Sequence, residues 1–175
     1  MTALKEKTAP VQAAMTYEEI QAFLFKEARA LDDRDWDTWL TYYDQNAVFW
    51  MPTWDDFDQL TENPQTEMSL IYYPTRSGLE DRVFRIKTDR SSATSMPEPR
   101  TSHNISNIEV VERQGSEVKV RFNWCTFNYR YTTTDTFWGT SFYTIDMATG
   151  HSLITNKKVI LKNDQIHHVI DVYHV

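Results

Sequence analysis

Ile20, Phe23, Leu24, Ala28 and Leu31 recur at helical spacing, which predicts an amphipathic helix over residues 17–31. Ahead of it, Thr16-Tyr17-Glu18-Glu19 has the form of a capping box, with the Thr16 hydroxyl covering free backbone amides and Glu19 reaching back. The polar break Asp32-Asp33-Arg34-Asp35 serves as a second cap. Trp36, Trp39, Leu40 and Tyr43 follow at i, i+3, i+4 and i+7, predicting a short second helix. Residues 46–52 are β-prone and closed by Pro52, residues 54–58 read as loop, and residues 67–73 read as a strand. Residues 78–87 begin with acids and end with bases, in the sense the helix dipole favours, and predict a third helix. Residues 91–100, with Pro97 and Pro99, form a loop.

From His103 onward the pattern becomes that of strands. Apolar-rich runs at 103–113, 117–131, 136–147, 152–162 and 165–174 are separated by turn signals at Gln114-Gly115, residues 132–135, Thr149-Gly150 and Asn163-Asp164. Such spacing leaves no room for crossover helices, so the sheet is an antiparallel meander and the class is α+β. Val118, Val120, Phe122 and Trp124 share one strand face. Past Cys125 the apolar phase moves to Phe127, Tyr129 and Tyr131, which predicts a bulge or a strand whose halves bury different faces. The next run repeats the theme, with Phe137, Tyr143, Ile145 and Met147 on one side and Trp138 and Phe142 on the other. A sheet covered by helices on one face is polar on the other when that face meets water. Here the second face is aromatic, so a partner protein is expected to cover it; the alternative is that these rings line an internal ligand cavity. The expected interface residues are Trp124, Phe127, Tyr129, Tyr131, Trp138, Phe142 and, on the terminal run, Tyr173.

Composition narrows the function classes. The chain of 175 residues carries 18 Lys+Arg against 25 Asp+Glu, a net charge of −7, which disfavours binding to a phosphate backbone, so no nucleic-acid partner is expected. Its 4 glycines are too dispersed for a dinucleotide or phosphate-binding loop. Cys125 is the single cysteine, which excludes a disulfide framework and any Cys-based zinc or iron–sulfur site within the chain. The longest apolar run, Ala47-Val48-Phe49-Trp50-Met51, falls far short of the roughly 20 residues that span a bilayer. Residues 1–15 lack the apolar core of a signal peptide and are expected to form a flexible arm before one domain at 16–175, in a cytoplasmic protein.

Among chemistry-bearing residues, His103 stands out. With a carboxylate from Asp32, Asp33 or Asp35 and a hydroxyl from Tyr42 or Tyr43 it would form an acid–base pocket between helices and sheet. The structural reading is a histidine bonded to backbone at a strand entrance. His167 and His168 point to opposite faces of a strand, and His168 and His174 lie too far apart along one, so no metal site is assembled from them. Cys125 reads as a small buried hydrophobe. Arg82, Arg85, Lys87 and Arg90 read as the basic end of a solvated helix making rim salt bridges, and Asp55, Asp56 and Asp58 lack the offsets of a calcium loop.

Several stretches carry a family likeness. Phe49-Trp50-Met51-Pro52 with Trp54-Asp55-Asp56, Met68-Ser69-Leu70-Ile71-Tyr72-Tyr73, the run from Gly78 to Ile86, Arg100-Thr101-Ser102-His103-Asn104-Ile105-Ser106-Asn107 and the ending from Leu161 to Val175 resemble the small (β) subunit of aromatic-ring-hydroxylating dioxygenases. The match covers residues 16–175 and is nearest the benzoate/toluate type, with Cys125 standing where many relatives are expected to have histidine. The resemblance implies a nuclear-transport-factor-like (cystatin-like) cone, with N-terminal helices packed into a strongly curved antiparallel sheet. It also implies assembly with a large (α) subunit and sister small subunits as a heterohexamer, served by a separate reductase in an NADH-dependent cis-dihydroxylation of a benzoate. The Rieske [2Fe–2S] cluster and the mononuclear iron would belong to the large subunit. This chain would hold no catalytic, cofactor or metal site, and its single cysteine agrees with that. The rival is a stand-alone cone-fold dehydratase or isomerase built on His103; a third reading is a homo-oligomeric module binding a small aromatic.

Overall fold

The computed structural model describes residues 15–88, 97–167 and 169–175. Helix α1 spans Tyr17–Asp32 and α2 spans Trp36–Leu40, followed by strands β1 (Tyr43–Pro52) and β2 (Ser69–Tyr73), then helix α3 (Arg76–Ile86). Four long strands complete the chain: β3 (Arg100–Gln114), β4 (Glu117–Arg130), β5 (Thr133–Asp146) and β6 (Leu153–Leu161), ahead of a short 3-10 turn at Val172–His174.

The caps form as the sequence requires. Thr16 Oγ1 accepts from the Glu19 amide at 3.2 Å, and Glu19 Oε2 accepts from the Thr16 amide at 2.7 Å. Asp35 caps α2 by accepting from the Thr38 amide at 3.2 Å. Tyr43 does not extend α2; it opens β1 and is fully buried. Residues 1–14, most of the expected arm, lie outside the described residues, whereas Met15 is already packed and its carbonyl accepts from Arg113 at 2.6 Å.

The six strands form one sheet in the order β2-β1-β6-β5-β4-β3, and β3 through β6 make the predicted antiparallel meander. Strand β1 runs parallel to β6, with Phe49 beside Lys157. Helix α1 packs against β3 while α3 packs against β1 and β2, near opposite edges of the sheet, and α2 touches both helices. The sheet therefore wraps around the helices, and the core lies in its concavity. Two register shifts in β3, at 106–109 and 110–112, help that edge to bend. Gly139 permits a close approach where β5 meets β6: a Cβ there would collide with the Ile160 carbonyl oxygen.

Two expectations are corrected. Strand β4 has no bulge at Cys125, since Glu117 to Arg130 pair residue for residue with Asp146 to Thr133. Its inner face continues past Trp124 as Thr126 and Asn128, both buried, so the residues change from apolar to polar while the face stays the same. The run 165–174 is not a strand. Instead Asp171 caps the terminal turn, accepting from the Val172 amide at 2.8 Å while its own amide donates to His174 Nδ1 at 2.9 Å. His168 lies outside the described residues.

Candidate functional site

The concavity holds two polar centres, each built on a carboxylate of α1. Glu27 falls on the core stripe of the helix, seven residues after Ile20, and is 3% exposed. Its Oε1 accepts from Tyr43 Oη at 2.7 Å and Trp39 Nε1 at 2.8 Å, and its Oε2 lies 3.4 Å from Tyr143 Oη. Lys157 completes the centre, with Nζ 3.4 Å from Glu27 Oε1 and 3.3 Å from the Val175 carbonyl oxygen. Phe49, Lys157 and Tyr143 stand side by side on β1, β6 and β5, which places the ammonium 5.2 Å and 5.1 Å from the two ring centroids. Burial pushes the Lys157 amine down, and Glu27 pulls it the other way. Burial together with the Glu27 charge holds the Tyr43 and Tyr143 hydroxyls well above their ordinary range.

Asp32, at the end of α1, reaches β3. Its Oδ1 lies 2.6 Å from His103 Nδ1 and accepts from Thr101 Oγ1 at 2.9 Å, and its Oδ2 accepts from the His103 amide at 2.9 Å. Burial works to raise this carboxyl, but the bonds and charge from His103, with Thr101, outweigh it and hold the group below its usual value. Of the three carboxylates considered for His103, the structure selects Asp32. Tyr42 and Tyr43 do not join it: Tyr42 packs edge-on against Phe23 with centroids 5.4 Å apart, and Tyr43 bonds Glu27.

On the inner faces of β3 and β4, His103 Nε2, Thr126 Oγ1, Trp124 Nε1 and Asn128 Oδ1 are buried with no hydrogen-bond partner among the described residues. Thr126 is the direct cross-strand neighbour of His103, and Asn128 that of Thr101. Asn128 also borders a cleft of about 540 Å³ between the ends of β4 and β5 and the terminal segment.

The terminal segment is held by Arg82, whose Nε donates to Asp171 Oδ1 at 2.7 Å while Nη2 pairs with Oδ2. Arg82 is thus an internal clamp rather than a solvated rim residue, whereas Lys87 makes an exposed pair with Asp37 at 2.5 Å. Cys125 is half-buried on the outer side of β4, not enclosed in the core. Among the described residues, no group of three or more His, Cys, Asp and Glu side chains is placed to hold a metal ion, and no helix is long and apolar enough to cross a membrane.

The outer face of the sheet presents Phe127 and Tyr129 along β4 and Trp138 beside them on β5, exposed by 48%, 44% and 48%, while Tyr131, 60% exposed, lies in the turn after β4 and borders the cleft at that end. Arg130 lies 4.7 Å above the Tyr131 ring. Phe142 is half-buried on the same side. Trp124 and Tyr173 belong elsewhere: both are buried within the chain, Trp124 on the inner face and Tyr173 against Trp36 and His174. Strand parity separates Trp124 from Phe127, so the sequence already held the signal that divides them. Sequence reasoning missed Glu27 and Lys157 as a pair, although each lies in phase with core neighbours.

An α+β cone with this helix order and a six-stranded curved sheet is the architecture of ring-hydroxylating dioxygenase small subunits. Residues 26–168 match the ring hydroxylating beta subunit family, and the chain belongs to it. It is 60% identical to the toluate 1,2-dioxygenase subunit beta of Pseudomonas putida, covering 92% of this chain and 99% of that protein. It is also 60% identical to the benzoate 1,2-dioxygenase subunit beta of Acinetobacter baylyi, covering 92% of this chain and 95% of that one. The crystal structure of the beta subunit of the benzoate 1,2-dioxygenase from Burkholderia mallei superposes with a TM-score of 0.80 at 50% identity, covering 94% of this chain and all of the other. These relatives favour the small-subunit reading over a stand-alone dehydratase or isomerase.

Proposed function

We propose that this chain is the non-catalytic, shape-giving subunit of a benzoate-type ring-hydroxylating dioxygenase, seated on a large subunit through the outer face of its sheet. The observation that carries this reading is the row Phe127, Tyr129 and Trp138, with Tyr131 at its end, exposed on a chain that belongs to the beta-subunit family. Contiguous exposed aromatics are costly to hydrate and mark a surface meant to be covered. The large subunit holds the Rieske cluster and the mononuclear iron; a single cysteine here cannot furnish the two thiolates of such a cluster. Electrons from NADH arrive through a separate reductase, and the complex, a heterohexamer in the cytoplasm, dihydroxylates benzoate or a substituted benzoate. Residues of this chain act on substrate range only through the packing of the large subunit.

The test is co-expression with the large subunit, carrying Tyr131→Ser and Trp138→Ala together. Because both side chains are already half in water, the isolated chain keeps its unfolding midpoint within about 0.5 kcal/mol. Co-elution with the large subunit falls by an order of magnitude or more, as truncating buried aromatic anchors does. Stoichiometric iron in the small chain alone, or oxygenase turnover by it, overturns the proposal.

A further inference from the structure

Charge is divided unevenly over the outside of the molecule. The sheet stretches 48–52, 69–73, 121–129, 136–144 and 156–162 contain no Asp or Glu, in a chain whose net charge is −7. Strand register lines up one rung across their outer face: Tyr72 on β2, Trp50 on β1, Lys158 on β6, Phe142 on β5 and Arg121 on β4. Each is half-buried, and Lys158 Nζ stands 4.4 Å from the Trp50 ring centroid. The one carboxylate near the rung is Glu109 of the edge strand β3, 4.0 Å from Arg121. Four strand spacings make the rung about 19 Å wide. Rings alternating with cations over that width suit an acidic segment that carries an aromatic side chain. Phe142 lies four residues, about 13 Å along β5, from Trp138, so the rung is a surface separate from the aromatic row assigned to the large subunit.

The same chain supplies such a segment. Residues 55–67 hold Asp55, Asp56, Asp58, Glu62 and Glu67 and no Lys or Arg, and all of these acids are exposed. Phe57 stands among them 83% exposed, more than any other large apolar side chain described, and so packs against little of its own chain. Its place is held: Asp55 Oδ1 accepts from the Phe57 amide at 2.9 Å and the Gln59 amide at 2.8 Å, and Trp54 bridges to Leu60. We infer that the tip at 55–58 of one small subunit docks on the Trp50–Lys158–Phe142 rung of a second copy, with Phe57 between the rings and its flanking acids facing Lys158 and Arg121. Tip and rung are different surfaces, so the contact is head to tail, the kind that closes rings of copies. The inference rests on the multi-subunit reading above for the presence of sister copies, and it names the surface through which they meet.

The test uses the co-expressed complex of small and large chains, with Phe57 replaced by the photo-cross-linker p-benzoylphenylalanine. Illumination is expected to join small chain to small chain, the linked peptide containing Trp50, Phe142 or Lys158. Lys158→Glu sets like charges face to face and should cut that yield at least about tenfold. Asp56→Lys, which leaves the sheet untouched, should cut it similarly, and the two together should restore most of it. Cross-links to the large chain alone, or none, overturn the inference. So does a double variant whose loss is the product of the two single losses, since the two charges then face different partners. A small chain that co-elutes with the large one but never links to a sister overturns this inference alone. One that never binds the large chain overturns the reading on which it rests.

Discussion

Glu27 and Asp32 are carboxylates of one helix, yet they end in opposite situations. Glu27 lies at the centre of a closed ring in which one phenol and one indole donor at 2.7–2.8 Å, a second phenol hydroxyl and a buried ammonium meet its oxygens. Asp32 lies near the rim, with its side chain 26% exposed, and the histidine it orients keeps a buried nitrogen that has no partner among the described residues. The difference separates two uses of buried polarity. Where every donor and acceptor is answered, the cluster fixes how α1, α2, β1, β5 and β6 meet. Where the chain of bonds stops at Nε2, a buried polar atom is left without a partner among the described residues, and such an atom weakens the packing around it rather than fixing it.

The sharpest way to break the comparison is to remove Glu27. Glu27→Ala leaves Lys157 as an uncompensated buried charge and strands three other donors, so denaturant unfolding should show a loss of about 3–5 kcal/mol. Pairing it with Lys157→Met removes that charge and should recover part of the loss. A single variant that unfolds near the wild-type midpoint means the ring is not a structural centre. Next in size is Arg82→Ala. It cuts both bonds to Asp171, whose side chain is 4% exposed, and should cost about 2 kcal/mol in the same assay. Because Asp171 also caps the terminal turn, protease cleavage within residues 165–175 should quicken in step; an unchanged cleavage rate would show that the segment is held by Val172 and Tyr173 alone.

How far the sequence announces these regions depends on whether a signal is local. The capping box at Thr16, the three helices and the meander are local patterns, and they appear within a few residues of expectation. His103 with Asp32 was legible as a pairing of types, but choosing Asp32 over Asp33 or Asp35 needed the packing of α1 on β3. Lys157 looks like a surface lysine beside Lys158. Counting back by twos from Leu161 and Val159 puts it on the inner face, and the register irregularity near Ile154 hides that phase from a forward count. The terminal run misled because alternating Val, Ile and Tyr have strand propensity, while Arg82, 89 residues away, and the Asp171 cap impose a turn. The parallel pairing of β1 with β6 is equally non-local, and no motif marks it.

The smallest expected effect concerns Asp32, and it tests the open half of the comparison by pH. Its carboxyl is held below the ordinary 3.8 in the folded chain. A depressed carboxylate contributes stability that is present above the unfolded value and drains away as pH falls through the folded one. Thermal melts taken from about pH 5 down to about pH 3 should therefore decline more steeply for the wild type than for Asp32→Asn. Asparagine keeps one oxygen, which still accepts from the Thr101 hydroxyl, and loses at every pH the bond that the second oxygen takes from the His103 amide, so the variant starts less stable and its flatter slope reports the ionisation alone. Asp35 and Asp146 are also held low, by the Thr38 and Ser116 hydroxyls first of all, and titrate alike in both proteins, so they cancel in the difference. Superimposable slopes would mean that Asp32 grips His103 no more firmly than it grips water, and the placement of the His103 ring would then lack its support.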